Sequence, residues 1–228
     1  MTAAFELRLW EDRVGAHATA TSPAGPANRV VYVVEGDASV AGEPLAANRA
    51  RHVAGRLSVS AGASGSRLWR WELIAGARES ALLLAPPDAG TSRSAPVSRL
   101  IFVEPLALDP ARQYLMRCDR VDFPLGGVAY THTHQGPGIR CLLRGSLRVD
   151  THGRTTPIRP GGAWFEDGPE PVYASASSED LTSFVRVMIL PEALVGKSSI
   201  RYVNPEDQAR PKTQIYTVFV DQPIDLDA

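Results

Sequence analysis

His132 and His134 stand two residues apart in the run YTHTHQGPGIRCLLRG, Tyr130 to Gly145. Residues two apart in an extended strand point to the same face, which predicts Tyr130, His132 and His134 on one side of a sheet. Two imidazoles can bind a first-row divalent metal, but protein sites usually supply three or more ligands. Glu166 is the first candidate for the third; it follows Trp164 by two, so those side chains share a face as well. Two histidines and a carboxylate form the donor set of non-haem iron sites, and the set also suits zinc or manganese. Gln135 and Tyr173 are weaker candidates. The competing reading of Glu166 is a solvated loop carboxylate beside Asp167.

The elements that must position these groups read as strands. Short runs rich in Val, Ile, Leu and aromatics recur between turn residues. They include RVVYVVEG (Arg29–Gly36), SRLWRWELI (Ser66–Ile74), SALLLAPP (Ser80–Pro87), SRLIFVEP (Ser98–Pro105), GIRCLLRGSLRVD (Gly138–Asp150), TSFVRVMILP (Thr182–Pro191) and QIYTVFVD (Gln214–Asp221). The 19 Gly and 18 Pro are spread along the chain rather than pooled, as many short elements require. The expectation is an all-β protein with few short helices. PARQYLMRC (Pro110–Cys118) reads as partly helical, and PEALVGKSS after Leu190 as one helical turn or a loop.

Bulk properties narrow the function. A chain of 228 residues holds one large or two small domains. A net charge of −1 leaves no electrostatic footprint for nucleic acid or an anionic membrane, so neither is an expected partner. No apolar run approaches the roughly 18 residues of a membrane span, and the N-terminus lacks the apolar core of a signal peptide. Cys118 and Cys141 are too few for a disulfide framework, which points to a reduced, cytoplasmic location. His52 and His152 lie in turn-like stretches and are expected to be exposed.

An internal repeat is visible. RVVYVVEGDASVAG (Arg29–Gly42) is similar to IRCLLRGSLRVDTHG (Ile139–Gly153), and LWRWELI and FVRVMIL occupy comparable places later. Two copies of one β module follow, residues 1–95 and 96–228, with a linker in the Ser/Gly-rich GTSRSAPVS (Gly90–Ser98).

The second copy resembles a cupin, a small jelly-roll barrel. Gly127, His132, His134 and the closing Gly145 follow its first motif, and Gly153 with RPGGAWFEDGPEPVYA (Arg159–Ala174) follows the first part of its second. The resemblance implies two tandem jelly-roll barrels, a bicupin, with a metal in the lumen. It also exposes departures. Gly138 stands where the motif has a glutamate, and Pro171 or Val172 where it has a histidine. The resemblance makes Glu166 the replacement ligand, because it lies in the strand and turn that usually bring in the last one. In the first copy only His17 precedes the strand, Thr19 follows it by two, and Arg29 takes the glutamate position, so that barrel is expected to be metal-free and structural.

Arg140 lies two residues beyond Gly138 and faces inward if that position does. A lumen-facing arginine needs an anion, either a substrate carboxylate or Glu166 itself. Arg186, with Phe184 and Met188 on its face, lines the same cavity or stands on the outer surface. Gly138 is either a backbone requirement of the QGPG turn or space for a ligand beside His134. Trp69 and Trp71 share a face that fills the first barrel's core, an interface, or a ligand wall.

Three functions remain open. The first is a metal-dependent enzyme acting on a small organic acid, by dioxygenase, isomerase, decarboxylase or lyase chemistry. In it His132, His134 and Glu166 hold iron, manganese or zinc, and Tyr130 and Glu166 move protons. Arg140, Trp164 and Arg186 bind substrate. The second is a non-catalytic barrel that binds or senses a small anion. The third is an oligomerisation barrel, with the tail from about Lys197 to Ala228 closing its own sheet or adding to that of a homodimer partner.

Overall fold

The computed structural model describes residues 3–22, 28–76, 83–85 and 95–226. The chain divides into two compact units, the first running to Gln113 and resuming at Ile224, the second spanning Tyr114–Pro223. Both are built almost wholly of antiparallel strands, and each is a jelly-roll module.

The first unit holds β1 (Ala3–Val14), β2 (Thr19–Thr21), β3 (Asn28–Val40), β4 (Glu43–Ala46), β5 (Ala50–Ala54), β6 (Ser58–Ala75) and β7 (Val97–Leu108). They form one sheet in the order β4-β3-β6-β1-β7, with β2 on β6 and β5 on β3. Strand β7 pairs with β1 from Ala3↔Leu108 to Arg13↔Val97. That pairing places the division at Gln113 and Tyr114 rather than at the expected 95 and 96. Of the expected linker, residues 90–94 lie outside the described residues, as does most of the expected strand over 80–87; within the latter, Leu84 bridges Thr21. Val31, Val33 and Leu68 lie on one face of β3 and β6 in an apolar cluster with Val14, Val40 and Val59. Trp69 and Trp71 project from the opposite face of β6, both buried, with Trp69 stacked on Tyr32.

The second unit holds β8 (Tyr114–Phe123), β9 (Val128–His134), β10 (Gly138–Arg144), β11 (Leu147–Thr151), β12 (Arg154–Ile158), β13 (Ala163–Glu166), β14 (Val172–Ala176), β15 (Thr182–Pro191), β16 (Ile200–Tyr202) and most of β17 (Ile215–Ile224). A 3-10 turn covers Glu192–Leu194 and one short helix, α1, spans Pro205–Ala209. Two five-stranded sheets result, β13-β10-β15-β8-β17 and β12-β11-β14-β9-β16. Their facing side chains, among them Val121, Phe123, Leu142, Val149, Val172 and Phe184, form the core. The expected helix at 110–118 is absent: Tyr114–Cys118 opens β8, where Leu115, Met116 and Cys118 are buried against β15. The C-terminal run closes its own sheet as edge strand β17 beside β8.

Two glycines have physical roles in positioning the site. Gly145 has φ +74°, a left-handed conformation that ends β10 and that a side chain would strain. At Gly138 a Cβ atom would run into the carbonyl oxygen of Val187 and into Met188. The missing side chain therefore leaves no room for a ligand; it lets β10 and β15 approach closely. His52 departs from expectation too: it lies on β5, only partly exposed, within 3.1 Å of the Asn28 side-chain oxygen. His152 is exposed in a turn at φ 49°.

Candidate metal centre

Strands β9, β10, β13 and β15 bring the predicted groups together inside the second unit. His132 and His134 come from β9, with ring centroids 4.9 Å apart. Glu166 ends β13, directly opposite Gly138 of β10. The carboxylate missing from β10 is therefore supplied by the neighbouring strand on the same face. One ligand atom from each of His132, His134 and Glu166 falls within 4.8 Å of the others. All three residues are buried.

Hydrogen bonds preset these atoms. His132 Nδ1 lies 2.7 Å from the Tyr130 carbonyl and donates to it, which leaves the Nε2 lone pair for the cluster. His134 Nδ1 faces the Ser199 hydroxyl at 3.4 Å, and its Nε2 lies 3.5 Å from Glu166 Oε2. Trp164 Nε1 donates to Glu166 Oε1 at 2.8 Å, so one carboxylate oxygen is fixed and the other is directed inward.

Two guanidiniums complete the site. Arg140, opposite both Trp164 and Arg186 in the sheet, brings Nη2 to 2.6 Å from Glu166 Oε2. Arg140 also donates through Nη1 to the Gly138 carbonyl at 2.6 Å. The Arg140–Glu166 contact is an ion pair by distance without hydrogen-bond alignment, and neither Arg140 Nη2 nor Glu166 Oε2 has another hydrogen bond. Arg186 is gripped by Asp119 through two bonds, 2.7 Å from Nε and 3.1 Å from Nη2. Its remaining nitrogen, Nη1, lies 3.5 Å from His134 Nε2.

Burial lowers the pKa of His132, with Glu166 acting in the opposite direction. Burial, then Arg186 and Arg140, hold His134 well below the ordinary histidine range. Both imidazoles are therefore neutral at pH 7, the form that binds metal. Burial lowers Arg140 to about 10 despite Glu166. Burial opposes charge on Arg186 as well, but Asp119 outweighs it and the pKa is raised. Tyr216 of β17, whose ring lies 5.5 Å from the Arg186 guanidinium, is pushed up to about 12 by desolvation of its hydroxyl.

A cavity of about 20 Å³, room for one water molecule, is bordered by His132, His134, Glu166 and Arg186 on its polar side and by Phe123, Val172 and Phe184 among its apolar walls. A buried carboxylate oxygen without an aligned hydrogen bond, beside two neutral imidazoles, is a donor set that fits a divalent cation.

Six of the seven residues given a role in the enzyme reading meet here: His132, His134, Glu166, Arg140, Trp164 and Arg186. Tyr130 does not join them. The register of β9 against β14 jumps from Ala129↔Ala174 to His132↔Val172, so two residues of β9 oppose one of β14. This β-bulge breaks the period of two and turns the Tyr130 ring toward Arg210 and Lys212, 5.0 and 5.9 Å away. Sequence reasoning missed Asp119 and Tyr216. Asp119 carries a readable signal, since DRV occurs at both 12–14 and 119–121; Tyr216 carries none.

No protein-family description and no curated protein sequence matches the chain. Among solved structures it is similar to a deletion mutant of the oxalate decarboxylase OxdC from Bacillus subtilis, with TM-score 0.63 and 11% identity over 90% of this chain and 73% of that one. It is also similar to AerE from Microcystis aeruginosa, with TM-score 0.53 and 11% identity over 82% and 88% of the two chains. A salicylate 1,2-dioxygenase mutant from Pseudoaminobacter salicylatoxidans matches with TM-score 0.50 and 12% identity over 92% and 74%.

Proposed function

Taking as premise that this chain has the cupin fold in both halves, we propose that its second module is a metal-dependent enzyme acting on a small organic acid. The convergence of His132, His134 and Glu166 beside a small cavity carries this reading. These residues would hold iron, manganese or zinc. A metal so held supplies Lewis-acid activation of a bound oxygen ligand. The chain's own residues do the rest. The Tyr130 carbonyl and Ser199 hydroxyl orient the imidazoles. Trp164 holds Glu166 by one oxygen. Arg186, kept charged by Asp119, presents Nη1 to a substrate carboxylate. Phe123, Phe184 and Val172 keep water from the centre. Oxalate and salicylate name the substrates of two similar structures, which supports an organic acid as the class.

Metal analysis of protein purified without a histidine tag tests the reading. About one equivalent per chain is expected at saturating iron, manganese or zinc in equilibrium dialysis with a small carboxylic acid present, and a large loss in Glu166→Gln. Less than about a tenth of an equivalent after loading with each would sink it.

A second reading rests on the Arg140–Glu166 contact of 2.6 Å. Here the pair is closed on itself and the barrel binds a small anion without chemistry. It predicts ligand affinity intact in His132→Ala. Both readings take the protein as a homodimer, and as cytoplasmic on the strength of its free buried cysteines; among the described residues no helix is long and apolar enough to cross a membrane. A single-chain mass by light scattering would refute the dimer.

A further inference from the structure

The charges around the centre are already balanced. Arg140 and Arg186 face Glu166 and Asp119, and the two imidazoles are uncharged. A divalent ion on His132, His134 and Glu166 would add two positive charges where every one of these groups is at most 7% exposed. Uncompensated charge in such a place is strongly unfavourable. The ion would also compete with Arg140 for Glu166 Oε2. An anion arriving with the metal halves the added charge and so lowers the first of these costs.

The structure has a place for that anion. A pocket of about 400 Å³ lies within the second unit, and Arg186 and Tyr216 line both it and the small cavity at the centre. Of the pocket's basic side chains, Arg117 is spent: it donates to Asp221 and to the carbonyls of Leu194 and Lys197. Arg186 has spent Nε and Nη2 on Asp119, and Nη1 has only the 3.5 Å contact with His134. Ile200, Val218 and the Tyr216 ring give the pocket apolar surface, and Ser198 a hydroxyl. Counted together, Arg117, Arg186 and Lys197 exceed Asp119 and Asp221 by one positive charge. One spare guanidinium donor, apolar walls and an excess of one positive charge describe a site for a monocarboxylate with a compact apolar body.

We propose that metal and a small monocarboxylic acid bind the second module together, the acid entering through the larger pocket onto Arg186 Nη1, each raising the other's affinity. This rests on the metal-centre reading above. It adds that the charge-balanced site takes the metal weakly until the acid is present.

The test is a titration of the full chain with Co²⁺, followed by visible absorption and calorimetry, in isobutyrate or in its neutral amide at equal ionic strength. The Co²⁺ affinity is expected to rise about 10-fold in isobutyrate, within the usual 5–150-fold span of coupled sites, and to stay unchanged in isobutyramide. By linkage, Co²⁺ should raise isobutyrate affinity by the same factor. In Val218→Trp, which fills the pocket, the isobutyrate effect should vanish. In Arg140→Met, which removes one competing charge, Co²⁺ should bind more tightly without acid and the acid should add less. The wild-type titrations decide even where a variant does not fold. Equal Co²⁺ affinity in acid and amide overturns the coupling and leaves the metal centre standing. Absence of Co²⁺ binding in both overturns the coupling and the metal centre together.

Discussion

Both modules bury an aspartate that grips an arginine by the same two bonds. In the first, Arg70 Nε and Nη2 reach Asp12 at 2.6 and 3.1 Å. In the second, Arg186 reaches Asp119 at 2.7 and 3.1 Å. Each aspartate opens a DRV triplet, and each arginine lies inside a long strand. The registers differ, since Asp12 stands opposite Leu68 and Asp119 directly opposite Arg186. The modules part at the second carboxylate. Glu72 follows Arg70 by two on the same strand and takes both Arg70, at 2.5 Å, and Arg29, at 2.6 Å. The residue two beyond Arg186 is Met188, and the acid has moved to Glu166 on β13. There it meets one arginine and faces two imidazoles. His17, the first module's only candidate counterpart, stands in an exposed turn at φ 54°. Relocating one carboxylate thus separates a network in which a glutamate is shared by two arginines from a site in which it meets one arginine and lies beside two imidazoles.

The largest expected effect tests whether the first network is purely structural. Asp12→Ala leaves Arg70 buried with Glu72 alone and should cost about 3–5 kcal/mol, measured by urea unfolding. Asp119→Ala should cost less, because Arg186 borders the 400 Å³ pocket and can be hydrated. Equal losses would break the contrast.

Next, His132→Ala should weaken metal binding by more than about 100-fold, beyond the 10–100-fold typical of outer-sphere changes. Because the first module should contribute no site, calorimetry should find no residual binding anywhere in the chain.

A smaller effect separates the modules by pH in metal-free protein. His132 and His134 have folded pKa values below the unfolded 6.5, so the unfolded chain binds more protons as pH falls. The stability they confer is complete above about pH 6.5 and is lost as pH drops from there toward their folded values. Each contributes at most about 1.4 kcal/mol per pH unit. The first module has one histidine shifted this way, His52, and less deeply buried. Hydrogen exchange resolved by peptide should therefore show the second module loosening more between pH 7 and 5.5; parallel loss in both would count against it.

The smallest effect is at Tyr130. With its ring outside the cavity, Tyr130→Phe should change metal affinity by less than about 2-fold, whereas a tyrosine aimed at the centre would be felt.

Much was legible from the chain alone. Alternating strands between turn residues report an all-β fold because side-chain period and turn chemistry are local. The same period put His132 with His134, and Trp164 with Glu166. Arg140 and Glu166 were legible as alternatives only, since the sequence could not say which anion meets the arginine.

What tertiary structure alone decided is non-local. The register of β13 on β10 sets Glu166 opposite Gly138. The approach of β15 explains Gly138 as a packing requirement. A bulge fixed by β14 removes Tyr130 from the site, and β17 returns from the end of the chain to place Tyr216 beside Arg186. Residue types and spacing dictate which face a side chain takes within its own strand. Which strands lie side by side, and in what register, depends on pairings between residues far apart in the chain, and those pairings brought a glutamate to a two-histidine motif.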